Sequence, residues 1–167
     1  MSELSPIPVE PFPDVATNGL TLLDVSQEPK CRAFAGYQEI GPGTSRRLSE
    51  RLVWSVSPGE WTLVGPAPDG EVVDLTHVRS MFRLTGNHAH RVLAKICALD
   101  LSDDMFPDGG AARTLVAGVA TELVRDDQRG TPSYLILPSR SFGRYLHTVL
   151  VDAGSEFGLS GQVDSRE

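Results

Sequence analysis

The segment Val72-Val73-Asp74-Leu75-Thr76-His77-Val78 places a carboxylate, a hydroxyl and an imidazole within four positions. These groups are the ingredients of general acid–base chemistry. The surrounding alternation predicts a strand, on which residues three apart point to opposite faces. Asp74 and His77 then form no simple dyad, and one of them faces the buried side and needs a hydrogen-bond partner there. The blander reading is a strand-end aspartate that accepts from a neighbouring backbone N–H, and the residues alone leave both open. A second group is Arg140-Ser141-Phe142, with Arg144 one turn later, at the start of the last helical pattern. A cation at a helix start opposes the helix dipole. That misfit predicts a specific carboxylate partner for Arg140, either across an interface or within the chain, where Asp100 and Asp108 are candidates.

Other chemistries fail on spacing. Asp100, Asp103, Asp104 and Asp108 form an acidic stretch, but with Asp104 as first calcium ligand the third is Phe106 and the twelfth Leu115. His88 and His90 are two apart and leave a helix on different faces, and no His-Glu-x-x-His occurs, so no metal site is expected. No Gly-x-Ser-x-Gly elbow is present. Gly41-x-Gly43 continues to Arg46 where a phosphate loop needs its next glycine. Cys31 and Cys97 have no paired spacing, and Cys97 falls on an apolar helical face as a small core residue.

The chain has 167 residues, 40% hydrophobic and 22% charged, which fits one ordinary domain. Lys and Arg number 15 against 22 Asp and Glu, a net charge of −7. This argues against a nucleic-acid binder, which needs a basic footprint, and against a polybasic membrane anchor. Only Lys30 and Lys95 are lysines among the cations, and arginine suits bidentate contact with carboxylates. No run approaches 18 apolar residues, and the first residues lack the pattern of a signal peptide. The expected location is cytoplasmic.

These groups must be held by elements that the pattern also suggests. Pro6, Pro8, Pro11 and Pro13 make residues 1–18 an extended arm. Residues 19–158 form one α+β domain, and 159–167 a flexible polar tail. Strands are predicted at 20–25, 52–57, 61–64, 72–84, 112–124 and 133–137, with an irregular crossing over 26–50. Pro58-Gly59 marks a type II turn and hence a hairpin. A helix capped by Asn87 buries Ala89, Val92, Leu93, Ile96 and Cys97. A second helix, capped by Ser139 or Ser141, buries Phe142, Tyr145, Leu146, Val149, Leu150 and Ala153, and ends at Gly154 or Gly158. The order predicts a largely antiparallel sheet with two main helices on one face.

Several of these stretches, in this order, resemble the gamma subunit of heterotetrameric sarcosine oxidase. They are Ser57-Pro58-Gly59-Glu60-Trp61-Thr62-Leu63, Val73-Asp74-Leu75-Thr76-His77 running to Leu84-Thr85-Gly86, Val92-Leu93-Ala94 through Cys97-Ala98-Leu99-Asp100-Leu101, Phe106-Pro107 with Ala112-Arg113-Thr114, and Ser139-Arg140-Ser141-Phe142 closing at Glu156-Phe157-Gly158. The resemblance covers roughly residues 50–158 and implies half of the folate-binding fold of the glycine-cleavage T-protein. The T-protein motif Asp-x-Ser-His-Met matches Asp74, with Thr76 in place of Ser, His77 retained and Val78 in place of Met. The resemblance thereby implies Asp74 as a catalytic candidate, and Asp74, Thr76 and His77 as candidates for holding tetrahydrofolate. It further implies a non-catalytic accessory subunit, with Arg140 and Arg144 facing alpha and beta partners. Those partners would carry NAD, FAD and FMN, demethylate an N-methyl amino acid oxidatively and pass the one-carbon unit to tetrahydrofolate. The alternative is a self-standing tetrahydrofolate-binding one-carbon-transfer enzyme that uses Asp74.

Overall fold

A computed structural model describes residues 15–17 and 19–159. The arm expected over 1–18 therefore lies outside the described residues except for Val15–Thr17, and the tail does so from 160 onward. Among the described residues, eleven strands form two sheets, and every pairing between them is antiparallel. The strands are β1 (Val15–Thr17), β2 (Leu20–Asp24), β3 (Lys30–Ala33), β4 (Thr44–Leu48), β5 (Arg51–Ser57), β6 (Glu60–Val64), β7 (Val72–Asp74), β8 (Phe82–Gly86), β9 (Ala111–Val116), β10 (Val119–Arg125) and β11 (Ser133–Pro138). One sheet has six strands in the order β1-β2-β8-β11-β10-β9, and the other has five in the order β4-β5-β6-β3-β7. Helices α1 (Ala89–Ala94) and α2 (Gly143–Gly154) complete the α+β class read from the sequence.

The alternation of side chains along each strand separates three apolar layers. Leu20, Leu22, Phe82, Leu84, Leu123, Tyr134 and Ile136 face α1 and α2, where they meet Val92, Leu93, Leu146 and Leu150. The opposite face of the same sheet supplies Val124, Leu135 and Leu137, which pack on Leu52, Trp54 and Val64 of the second sheet. The outer face of the second sheet holds Cys31, Val53, Trp61 and Leu63 against Ile40. Because β11 is covered on both faces, Tyr134-Leu135-Ile136-Leu137 reads as a continuous apolar run with no alternation.

The sheet-on-sheet layer also buries charge. Along β10, Glu122 and Val124 point at the second sheet, and Asp126 continues the row. Glu122 Oε2 accepts from Trp54 Nε1 at 2.8 Å and from Thr62 Oγ1 at 3.0 Å. Glu122 Oε1 pairs with Arg32 Nη2 at 2.5 Å and lies 3.5 Å from Arg113 Nη2. Asp126 takes Arg47 through both carboxylate oxygens, at 3.1 and 2.6 Å, and Arg83 at 2.9 Å. Arg47 belongs to the five-stranded sheet and Arg83 to the six-stranded one, so each carboxylate connects the two.

Several expected elements are corrected. The expected irregular crossing over 26–50 contains β3 and β4. Strand β3 escapes pattern reading because it buries Lys30 and pairs Arg32, and β4 because it is an exposed edge. The expected strand over 72–84 is two strands separated by the turn 75–78. The expected strand over 112–124 is the β9–β10 hairpin. Its turn is Ala117-Gly118 at φ 49° and 80°, both values positive as in a type I′ turn, with an alanine at a position that favours Asn or Gly. Helix α1 begins at Ala89 after His88, with no side-chain cap, and Asn87 does not serve as its N-cap. Neither Ser139 nor Ser141 caps α2. A 3-10 turn over Arg140–Phe142 leads into it instead. The buried residues are Gly143, Leu146, His147, Leu150, Ala153 and Gly154, whereas Phe142 and Tyr145 are 48% and 50% exposed. The expected single sheet is two, and the helices cover one face of the larger.

Removing one partner of a buried ion pair strands the other. Glu122→Ala should therefore lower the unfolding free energy by about 3–5 kcal/mol, read as a fall in the urea midpoint. The double variant Arg32→Met/Glu122→Leu should lose less than the two single changes added together. Simple additivity would show that the pair is not coupled.

Candidate functional site

Strand β7 lies at the edge of the five-stranded sheet and pairs with β3, with Asp74 opposite Cys31. The chain leaves the strand at Asp74 because its carboxylate closes a turn. Asp74 Oδ1 accepts from the backbone N–H of Thr76 at 2.9 Å. This local bond competes with further strand pairing. The Leu75 N–H still donates to the Lys30 carbonyl at 2.8 Å, and Thr76 Oγ1 accepts from the Lys30 N–H at 3.1 Å.

Lys30 anchors the turn from beneath. Its side chain is buried, and Nζ donates to the carbonyls of Ser26 at 2.7 Å, Glu28 at 3.2 Å and Thr76 at 3.2 Å. Burial lowers its pKa from the ordinary lysine value, and the charges of Glu28, Asp74 and Asp24 oppose that shift. The Asp74 carboxyl moves the other way relative to neutrality. The hydrogen bonds from Thr76, backbone first and side chain second, hold it below the usual aspartate value, with His77 and Lys30 adding attraction.

The turn then crosses to the start of α2. His77 and Val78 are exposed. The His77 carbonyl accepts from Arg140 Nη1 at 3.2 Å, and the Val78 carbonyl accepts from the Arg140 N–H at 3.0 Å. Tyr145, one turn along, donates from its hydroxyl to the Ala117 carbonyl at 3.0 Å. The structure thus gathers the two sequence-predicted groups at one end of the molecule. The Asp74–His77 turn and the Arg140–Arg144 helix start are joined through backbone carbonyls.

Two expectations for these residues are corrected. Asp74 and His77 do not sit on opposite faces of one strand, because the strand ends at Asp74 and His77 lies in the turn. Arg140 pairs with neither Asp100 nor Asp108. Asp100 accepts from the Ser102 N–H, and Asp108 from the Asp127 N–H, each at 2.9 Å. The acidic stretch is therefore loop capping, and Asp103 pairs with Arg125 Nη1 at 2.6 Å. Sequence reasoning missed the exposure of Phe142 and Tyr145. Phe142 lies in the 3-10 turn before α2, and Tyr145 stands at the rim of the face that Leu146 and Leu150 bury, because successive residues turn about 100° round a helix.

As chemistry, Asp74 is an ionised acceptor in open solvent that already closes its own turn. An acid–base carboxylate at neutral pH needs the opposite environment, one that raises its pKa. An open cleft of about 440 Å³ lies nearby, lined by Phe34, Tyr37, Asp69, Glu71 and Val72 among others, and neither Asp74, Thr76 nor His77 lines it. Among the described residues, no three His, Cys, Asp or Glu side chains come together as a metal site, and no helix is long and apolar enough to cross a membrane.

No family model matches the chain. It is 39% identical over 88 residues to the sarcosine oxidase subunit gamma of Corynebacterium sp. strain P-1, covering 53% of this chain and 42% of that one. It is 35% identical over 134 residues to the gamma subunit of an Arthrobacter species, covering 72% of this chain and 64% of that one. The chain thus spans less than two thirds of the length of the curated relatives it matches. Among solved structures, it superposes on a chain of the heterotetrameric sarcosine oxidase from Corynebacterium sp. U-96 with a TM-score of 0.73 and 26% identity, covering 90% of this chain and 91% of that one. The glycine cleavage aminomethyltransferase T of Bartonella henselae matches with a TM-score of 0.60 at 16% identity, which speaks to fold alone. By sequence and by fold, the chain is a homologue of the sarcosine oxidase gamma subunits, built on a T-protein-like fold.

Proposed function

We propose that this chain is a non-catalytic, gamma-like accessory subunit of a sarcosine-oxidase-like complex. The observation that carries the reading is the match to a chain of heterotetrameric sarcosine oxidase over nine tenths of both lengths. In this reading, cytoplasmic alpha and beta partners hold the NAD, FAD and FMN. They demethylate an N-methyl amino acid oxidatively and hand the one-carbon unit to tetrahydrofolate. The chain itself contributes a docking body, residues 19–158, and an arm over 1–18, of which the described Val15–Thr17 pair with β2.

Asp74, Thr76 and His77 do not fit a tetrahydrofolate site with an acid–base role. The Asp74 carboxyl is exposed and closes a turn, its pKa is lowered, and the neighbouring cleft does not include it. The fold alone supplies no activity. The self-standing one-carbon enzyme accordingly has less support than the accessory subunit.

Co-expression with alpha and beta companions tests the reading. The tagged chain should bring both down in a fixed ratio and elute with them as one species. A chain that elutes as a monomer, with no companion at any salt concentration, would contradict it.

Asp74→Asn should leave the oxidase activity of the assembled complex unchanged within twofold, whereas an acid–base role would abolish it. The same variant carries a pH signature. A carboxylate with a depressed folded-state pKa stabilises the fold above its unfolded value and stops doing so as pH falls through the folded one. The small deficit of Asp74→Asn, a few tenths of a kcal/mol at an exposed site, should therefore be present at pH 7 and vanish in acid below the ordinary aspartate range. Melting curves of both proteins across pH measure this.

A further inference from the structure

The face around the start of α2 is poorly suited to lie against water alone. Val78, Phe142 and Tyr145 are 55%, 48% and 50% exposed there. Arg140 and Arg144 stand beside them, both exposed. Among the described residues neither forms an ion pair, and the Arg140 side chain bonds only the His77 carbonyl. Among the described residues Arg32, Arg47, Arg83, Arg113 and Arg125 reach carboxylates, whereas Arg46, Arg51, Arg79, Arg91 and Arg129 share with Arg140 and Arg144 the lack of an ion pair. The whole chain has a net charge of −7, so two uncompensated guanidiniums are not explained by a shortage of acids. The first turn of α2 contains no acidic residue, and no side chain caps it. The helix dipole adds positive potential beside the guanidiniums.

We infer that this face docks a companion polypeptide through a patch on that partner in which carboxylates surround an apolar centre. The inference rests on the accessory-subunit reading. Phe142 and Tyr145 are the kind of side chain that fills pockets at interface centres, and arginine gives bidentate contacts to carboxylates at the rim. Charge selects the occupant. A second copy of this chain related by a two-fold axis would bring four guanidiniums and two positive helix ends together, which is repulsive. Nucleic acid would meet a strongly negative chain with only a local positive spot.

The test uses co-expressed companion subunits and three variants: Arg140→Glu/Arg144→Glu, Phe142→Ser, and Arg129→Glu as a control in the turn at the far end of the β10–β11 hairpin. The wild type and Arg129→Glu should copurify with the companions in equal yield. The arginine double variant should lose at least tenfold, and Phe142→Ser should also fall. The isolated double variant should melt within a few degrees of the wild type, because loss of the Arg140 bond to the His77 carbonyl is offset by glutamate at a helix start, which suits the dipole. Phe142→Ser changes an exposed side chain and guards against a folding artefact in the double variant. Wild-type yield from both variants would overturn the inference and leave the accessory reading intact. Failure of the wild type to copurify would overturn both. A wild-type homodimer abolished by the charge reversal would assign the face to a second copy and would also overturn the inference.

Discussion

Two carboxylates on one row, Glu122 of β10 and Asp126 just past its end, decide how the two sheets meet. Glu122 and Asp126 enter the layer between the sheets, where an unpaired charge would cost several kcal/mol. They are tolerated because the opposing sheet delivers arginine and indole donors to them: Arg32, Trp54 and Thr62 for Glu122, and Arg47 for Asp126. Apolar packing of Leu52, Trp54, Val124, Leu135 and Leu137 is non-directional and would accept several relative positions of the sheets. Short bonds to a fixed carboxylate would not. The polar contacts thus fix the stacking that the apolar contacts make favourable. Through that stacking, the β3–β7 edge comes to lie where its turn can meet the start of α2.

That meeting is built largely from backbone carbonyls. Lys30 binds three of them, and one belongs to Thr76 in the turn. Arg140 binds another, at His77. A buried lysine that donates to three carbonyl oxygens holds these loops together, with the charges of Glu28, Asp74 and Asp24 favouring its protonated form. The segment most suggestive of catalysis in the sequence is therefore a structural joint whose exposed surface adjoins the start of α2. A fold shared with an aminomethyltransferase does not by itself carry that enzyme's chemistry.

The sequence reading succeeded where local physics and tertiary packing agree. The β5–β6 hairpin followed from β-forming residues around Pro58-Gly59, and the apolar stripe of α1 followed from its spacing. It failed where a distant partner overrides the local signal. Lys30-Cys31-Arg32-Ala33 lacks the look of a buried strand until Thr76 and Glu122 are in place. Ala117 disguises a hairpin turn because alanine rarely takes positive φ. Phe142 and Tyr145 count as core by spacing, but Phe142 belongs to the 3-10 turn and Tyr145 to the rim of the buried face of α2. Asp74 was visible as a residue of interest, but its role depends on the Thr76 N–H it meets. The resemblance to the gamma subunits was legible from ordered short segments, since those segments are the strands and turns the fold requires.

If the proposed accessory role holds, the chain assembles with its companions and leaves the one-carbon carrier to them. Anaerobic calorimetric titration of the isolated chain with tetrahydrofolate decides this. No saturable heat and no thermal stabilisation at millimolar ligand are expected. Saturable binding at micromolar or tighter affinity would contradict it.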